Sequence, residues 1–150
     1  MGRRKKRQKI EGRFVPLQHK LLESKAFQSL TKSAKVAYIY FLFDIKSGHQ
    51  KEVILTFEQA KKHFVCSSPS TFMKIKKELV NNGFLNQLEG GGLNSPTKFA
   101  ISHRWKDYGL NDFDQGKYTP GIGSKYFKTA WRDEKKREKL IRARYPNKKN

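Results

Sequence analysis

Between Ser67 and Gly83 the chain carries both boundaries of one helix. Ser67 and Ser68 supply hydroxyls that accept hydrogen bonds from the open N–H groups of a first turn. Pro69 has the fixed φ suited to the first helical position, and Gly83 takes the left-handed conformation that ends a helix. With Phe72 at zero on a helical wheel, Ile75 and Leu79 fall beside it, which makes one inward apolar stripe. Ser70, Met73, Lys74, Lys77 and Asn81 fall on the other side. Upstream, Thr56 and Gln59 have the spacing of a capping box, and Phe57, Ala60 and Phe64 recur on one face of the helix it opens. Downstream, residues 84–88 and 97–101 read as the arms of a hairpin around a long glycine-rich tip at 89–96. Helix, serine-rich turn, helix and hairpin come in that order within residues 57–101, so the fold class expected is mainly α with a small β-hairpin, α+β.

The preceding residues supply the rest of a core. An extended stretch fixed by Pro16 leads to a short helix at 17–22 or 26–30, and Thr31 is placed to cap the next one. From 33 to 45 apolar residues fall on nearly every side (Ala34, Val36, Ala37, Tyr38, Ile39, Tyr40, Phe41, Leu42, Phe43), which predicts a helix buried at the centre. Its aromatics read as core; a platform for stacking unpaired bases is the functional alternative, though such platforms usually lie on strands or loops with charges between the rings. Residues 47–50 read as a turn and 53–55 as a short strand.

A chain of 150 residues has room for one core with appended tails. Its 33 basic and 13 acidic residues give a net charge of +20, which calls for a polyanionic partner, nucleic acid first and an anionic membrane surface second. The longest apolar run, 36–43, is eight residues, against roughly 20 for a membrane span. A secretion signal is not expected either, because Gln18, His19, Lys20 and Glu23 interrupt the apolar stretch after the basic N-terminus. The single cysteine, Cys66, has no internal disulfide partner and suits a reducing compartment.

Charge concentrates at the ends. Residues 1–13 hold seven basic side chains (Arg3, Arg4, Lys5, Lys6, Arg7, Lys9, Arg13) against Glu11, and read as a disordered basic arm that lies along phosphates or enters a minor groove. A solubilising or targeting tail is the plainer explanation. Residues 125–150 hold eleven basic and three acidic side chains, and 129–144 suit a basic helix. The two ends therefore carry fourteen of the twenty net charges. The organisation expected is an arm at 1–13, a domain at 14–113, and a turn-rich linker with a basic helix or tail at 114–150. Trp105, Tyr108 and Phe113 are expected to pack as a flap on the domain.

Chemistry is harder to find. His63 and Cys66 have a spacing that zinc could use, with no second pair to complete four ligands. The glycines at 90–92 and at 121–123 lack the spacing of a phosphate-binding loop. Asp107, Asp112 and Asp114 form an acidic cluster with Tyr108 and His103 nearby, and a nuclease or strand-transfer enzyme is expected to be built there if anywhere. No catalytic residue, metal or cofactor is assigned.

Ser67-Ser68-Pro69-Ser70-Thr71-Phe72, continued by Lys77-Glu78-Leu79-Val80-Asn81-Asn82-Gly83-Phe84-Leu85, resembles the S-x-S-T-(apolar)…E-L-x-x-x-G-F-(apolar) pattern of winged helix-turn-helix proteins. The stretch Phe99-Ala100-Ile101-Ser102-His103-Arg104-Trp105-Lys106-Asp107-Tyr108-Gly109 resembles the segment after the wing in small phage, plasmid and integrated-element proteins related to replication initiators and regulators. The similarity covers roughly 14–113. It implies a compact three-helix fold with its second motif helix in a DNA major groove and its wing on an adjacent groove or backbone. By this carry-over Ser68, Ser70, Thr71, Lys74 and Lys77 are contact candidates on the helix, and Lys98 is one on the wing. Ser67 and Asn81 join them at the two ends of the helix, and Arg3, Arg4, Lys5, Lys6 and Arg7 in the arm. This wing departs from many others in having Glu89 and glycines where an Arg or Lys would stand.

The expected activity is therefore non-enzymatic, sequence-preferring binding of double-stranded DNA by a transcription regulator or replication-initiation factor of a mobile element, cytoplasmic and associated with the nucleoid. Homodimerisation is left open. An RNA- or ribosome-associated basic protein shares the charge and is the first alternative; the nuclease or strand-transfer enzyme is the second.

Overall fold

The computed structural model describes residues 11–92 and 95–121. Within them the chain forms five α-helices and one antiparallel hairpin, an α+β arrangement. The basic arm at Arg3, Arg4, Lys5, Lys6 and Arg7, two residues of the hairpin tip and the basic segment from 122 onward lie outside the described residues.

Short-range capping explains most of the helix boundaries. Both early helices allowed by the sequence form, α1 (His19–Glu23) and α2 (Lys25–Ser29). Ser24 links them: its hydroxyl donates to the Leu21 carbonyl at 2.6 Å and accepts from the Phe27 N–H at 3.1 Å. Thr31 caps α3 (Lys32–Phe43) by accepting from the Ala34 N–H. The capping box of Thr56 and Gln59 opens α4 (Phe57–Lys62), with both of its reciprocal bonds made. Ser68 caps α5 (Pro69–Asn81), Pro69 lies in its first turn, and Gly83 comes just after its end at φ +84°.

The apolar stripe of α5 faces inward as its periodicity predicts, with Phe72, Ile75 and Leu79 buried and Val80 beside them. α3 packs along α5 through Ala34, Ala37, Tyr38 and Phe41. Phe41 meets Phe99 edge to face at 5.4 Å, and Tyr38 meets Phe84 the same way at 5.1 Å. The expectation that α3 is buried all round is corrected, because Val36 is exposed and Phe43 is 58% exposed. A helix is covered only on the sides where other elements lie, and α3 is buttressed from α5 and the hairpin.

The hairpin pairs β1 (Leu85–Glu89) with β2 (Lys98–Ile101), Leu85 opposite Ile101, with a bulge between Gln87 and Glu89. The strand expected at 53–55 shrinks to one bridge. Val53 and Phe99 exchange N–H···O bonds of 2.7 and 3.0 Å, while Val53 and Leu55 alternate into the core. The Ile54 N–H donates instead to the Asp44 carboxylate at 2.9 Å, which keeps that segment from pairing further.

Phe64 is a second correction. Its spacing groups it with Phe57 and Ala60, yet α4 ends at Lys62 and Phe64 is 95% exposed at φ +56°. Val65 takes the buried position. Periodicity holds only while the helix continues, and it stops two residues too soon.

After β2 the chain crosses back over the domain. Trp105 is buried and stacks on Phe84, and its backbone N–H donates to the Gly83 carbonyl at 3.1 Å. A Cβ at Gly83 would stand 2.6 Å from that nitrogen, so the glycine serves both the left-handed turn and this close approach. Tyr108 and Phe113 meet edge to face at 5.3 Å. Residues 114–121 form a strap without regular structure.

Candidate nucleic-acid interface

The outward face of α5 is a direct consequence of its inward one. Burying Phe72, Ile75 and Leu79 leaves Ser70, Lys74 and Lys77 exposed along the opposite side, with Thr71 exposed at the flank of the stripe and Asn81 half-buried at the far end. At the near end Ser67 is exposed and Ser68 half-buried. The Ser68 hydroxyl accepts from the Thr71 N–H at 3.2 Å and lies 2.8 Å from the Thr71 hydroxyl and 3.1 Å from that of Ser70. Three hydroxyls therefore cluster over the first turn, where helix N–H groups favour anions.

The three lysines of α5 do not behave alike. Lys74 and Lys77 point into solvent. Lys76 lies over two aromatic rings, 4.7 Å from the centroid of Phe72 and 5.8 Å from that of Tyr118. Burial lowers its ammonium pKa from the ordinary lysine value. It belongs to the packing between α5 and the strap.

Lys98 is also engaged within the fold. Its ammonium lies 3.3 Å from the Glu89 carboxylate and 3.5 Å from that of Glu52. The hydrogen bond to Glu89 and the charges of Glu52 and Glu89 raise its pKa. The bridge between Val53 and Phe99 brings Glu52 to β2, and the hairpin register brings Glu89. The sequence pattern places Lys98 on the hairpin, and long-range pairing supplies its two carboxylates.

Arg104 escapes sequence reasoning, since nothing local marks it among so many basic residues. Its Nε donates to Asn86 at 2.8 Å and its Nη2 to the carbonyls of Val80 at 3.1 Å and Leu85 at 2.9 Å. Nη1 donates to the Asp114 carbonyl. One guanidinium thus joins the end of α5, the start of β1 and the strap, sharing the Val80 carbonyl with the Gly83 N–H. Tyr118, placed by sequence in a linker, stacks on Phe99, and burial pushes its phenol up to about 12. The Gln87 side-chain amide donates to the Thr119 carbonyl at 2.8 Å and accepts from its N–H at 2.7 Å. A Cβ at Gly121 would collide with the Gly91 carbonyl, so the strap finishes against the hairpin tip. The segment bearing eleven basic residues starts just beyond that point.

The candidate chemistry elsewhere is dispersed. Among the described residues no group of three His, Cys, Asp or Glu side chains could hold a metal ion. His63 stacks on Tyr40 at 4.1 Å, and burial pushes the Cys66 thiol up. Asp107, Asp112 and Asp114 are exposed, and Asp114 accepts from the Gly116 N–H at 2.8 Å. A shallow hollow of about 600 Å³ between residues 45–53 and the hairpin is mostly apolar, with Lys51 and Glu52 at its rim. Among the described residues no helix is long and apolar enough to cross a membrane. Comparison with family models, curated proteins and solved structures finds no significant match for the chain.

Proposed function

We propose that this chain is a winged helix-turn-helix protein that binds double-stranded DNA, with α5 as its recognition helix and the hairpin as its wing. One observation carries the reading. α5 is held from three sides, by α3, by Arg104 and by the strap, while Ser70, Lys74 and Lys77 stay exposed on one face beside a capped N-terminus where Thr71 is also exposed. A rigid helix offering hydroxyl and ammonium groups suits a major groove, where such groups meet base edges and phosphates. The bridge from Val53 to β2 adds support, since it ties the segment ahead of the motif to the wing.

The wing's own cation is committed to Glu52 and Glu89, so phosphate contact beyond that of α5 falls to the ends of the chain. The strap ends at Gly121 against the hairpin tip, and fourteen of the twenty net charges reside in the two ends of the sequence. Base readout is then assigned to α5 and most affinity to the ends. The biological role that fits is a transcription regulator or replication-initiation factor of a mobile element, nucleoid-associated in the cytoplasm and without enzymatic activity.

Selection of bound sequences from a random duplex pool near physiological salt, with RNA competitor, tests this directly. Enrichment of a duplex motif supports the proposal. Preferential retention of RNA would replace it with an RNA-associated role, and cleavage of DNA in Mg²⁺ or Mn²⁺ would replace it with an enzyme.

A further inference from the structure

Two helix ends in this fold have the same hydrogen-bond pattern and different residues at its critical position. After α5, the Phe84 N–H donates to the Leu79 carbonyl at 2.9 Å and the Gly83 N–H to the Val80 carbonyl at 3.1 Å, with Gly83 at φ +84°. After α4, the Val65 N–H donates to the Ala60 carbonyl at 2.9 Å and the Phe64 N–H to the Lys61 carbonyl at 3.1 Å, with Phe64 at φ +56°. Both are Schellman motifs, whose left-handed residue is usually glycine because a Cβ is strained there. For a bulky aromatic this conformation is an outlier.

Among the described residues the ring gains nothing in return. Phe64 is 95% exposed, and the apolar contact that accompanies such a motif is made by Val65, which is buried. Backbone strain of this kind clusters at binding sites, so a strained residue with an uncovered side chain points to a contact outside the domain. We propose that Phe64 is a nucleic-acid contact, an apolar ring held out on the turn ahead of α5 to pack against the duplex at the edge of the groove that α5 enters. This inference rests on the duplex-binding reading above.

Position and charge select that partner. Phe64 precedes Ser67 by three residues, which an extended chain spans in about 11 Å, comparable to the roughly 12 Å width of a major groove. With the first turn of α5 on the DNA, the ring is within reach of sugars and base edges. From Gln59 to Lys77 the chain has four exposed lysines (Lys61, Lys62, Lys74, Lys77) and no Asp or Glu. Lys61 and Lys62, immediately before the turn, are exposed. A second copy of the chain meeting this surface would bring the lysine pairs against each other, whereas phosphates complement them. Phenylalanine is among the side chains that proteins press against or between base steps.

The glycine substitution separates a binding role from a folding one. In the full-length protein Phe64→Gly relieves the backbone strain, so its melting temperature equals or exceeds that of the unchanged chain. Its affinity for duplex DNA falls by on the order of tenfold, the scale of losing a partly covered phenylalanine ring. The slope of log affinity against log salt stays the same, since the ring carries no charge. Phe64→Asn, which also tolerates the left-handed conformation, behaves likewise, and Phe64→Trp retains affinity. Unchanged affinity in Phe64→Gly overturns the inference and leaves the duplex-binding proposal intact. Lower melting temperatures in both the glycine and asparagine variants overturn it in favour of a packing role. Sedimentation showing that Phe64→Gly dissociates a dimer assigns the ring to a second copy instead. If the unchanged protein binds no duplex, both this inference and the proposed function fail.

Discussion

Thr31 and Glu78 join two helices whose residues lie 47 positions apart: the Glu78 carboxylate accepts the Thr31 backbone N–H at 2.7 Å and the Thr31 hydroxyl at 2.9 Å. The same hydroxyl caps α3 by accepting from the Ala34 N–H. A negative charge on α5 therefore sits at the N-terminus of α3, where the helix dipole favours it. The pair helps fix the rotation of α5 about its own axis, and with it the direction in which Lys74 and Lys77 point. Glu78→Ala is expected to destabilise the domain by about 1–2 kcal/mol, the lower end for hydrogen bonds to a charged group because the site is exposed. Urea denaturation checks this through a lower midpoint at unchanged slope.

The two faces of α5 should separate in mutagenesis. Leu79 is fully buried, so Leu79→Ala is expected to cost about 2–5 kcal/mol of stability. The double substitution of Lys74 and Lys77 by Ala should leave the melting temperature in place, weaken duplex binding and reduce the salt slope by about two units if both reach phosphates. A fully stable double variant with unchanged affinity would refute α5 as the docking face.

Lys98 yields a prediction of opposite sign. Glu52 and Glu89 hold its ammonium, so replacing both by Gln releases the charge and removes two negative groups from the wing. Duplex affinity should rise and the salt slope steepen by about one unit if the freed lysine finds a phosphate. Fluorescence anisotropy at several salt concentrations measures both, and an unchanged slope would keep the wing off the backbone.

Alkaline pH should loosen the core in a defined window. Burial pushes the phenols of Tyr38 and Tyr118 up to about 12 from an ordinary 10.0. Raised folded-state values mean that their contribution is fully present below pH 10 and is lost as pH rises from about 10 to 12, where the unfolded chain ionises first. Lys76 acts in the other direction, because its lowered pKa makes the cost of burying its charge fade as pH rises toward the ordinary lysine value. Phenolate absorbance should show two late-titrating tyrosines, and Tyr38→Phe with Tyr118→Phe should flatten the fall in melting temperature above pH 10.

The chain ends should govern affinity more than preference. Deleting residues 1–13 is expected to flatten the salt slope by several units if most of its seven basic residues engage phosphates. The ratio of best site to random site should change much less. Binding curves on one truncated protein test both halves: an unchanged slope makes the arm a targeting or solubility tail, and a collapsed ratio makes it a base reader.

What the sequence determined by itself was local. Ser68, Pro69 and Gly83 bound α5, Thr56 and Gln59 open α4, and Thr31 opens α3, because each acts on N–H or carbonyl groups within a few residues of itself. The burial of Phe72, Ile75 and Leu79 was legible for the same reason, since one uninterrupted helix keeps them on one face. Three-dimensional packing decided the rest. The early end of α4 sent Phe64 outward and Val65 inward, and the coverage of α3 from limited directions left Phe43 in solvent. Lys76 and Lys77 are neighbours of identical chemistry; Phe72, one turn back on the same helix, and Tyr118, brought in by the strap, make Lys76 part of the packing. Glu52 reaches Lys98, and Arg104 reaches Val80 and Asp114, across sequence separations that no periodicity encodes. Such charges are drawn to whichever opposite charge or open carbonyl the folded backbone brings near, and that choice exists only once the helices and hairpin have docked.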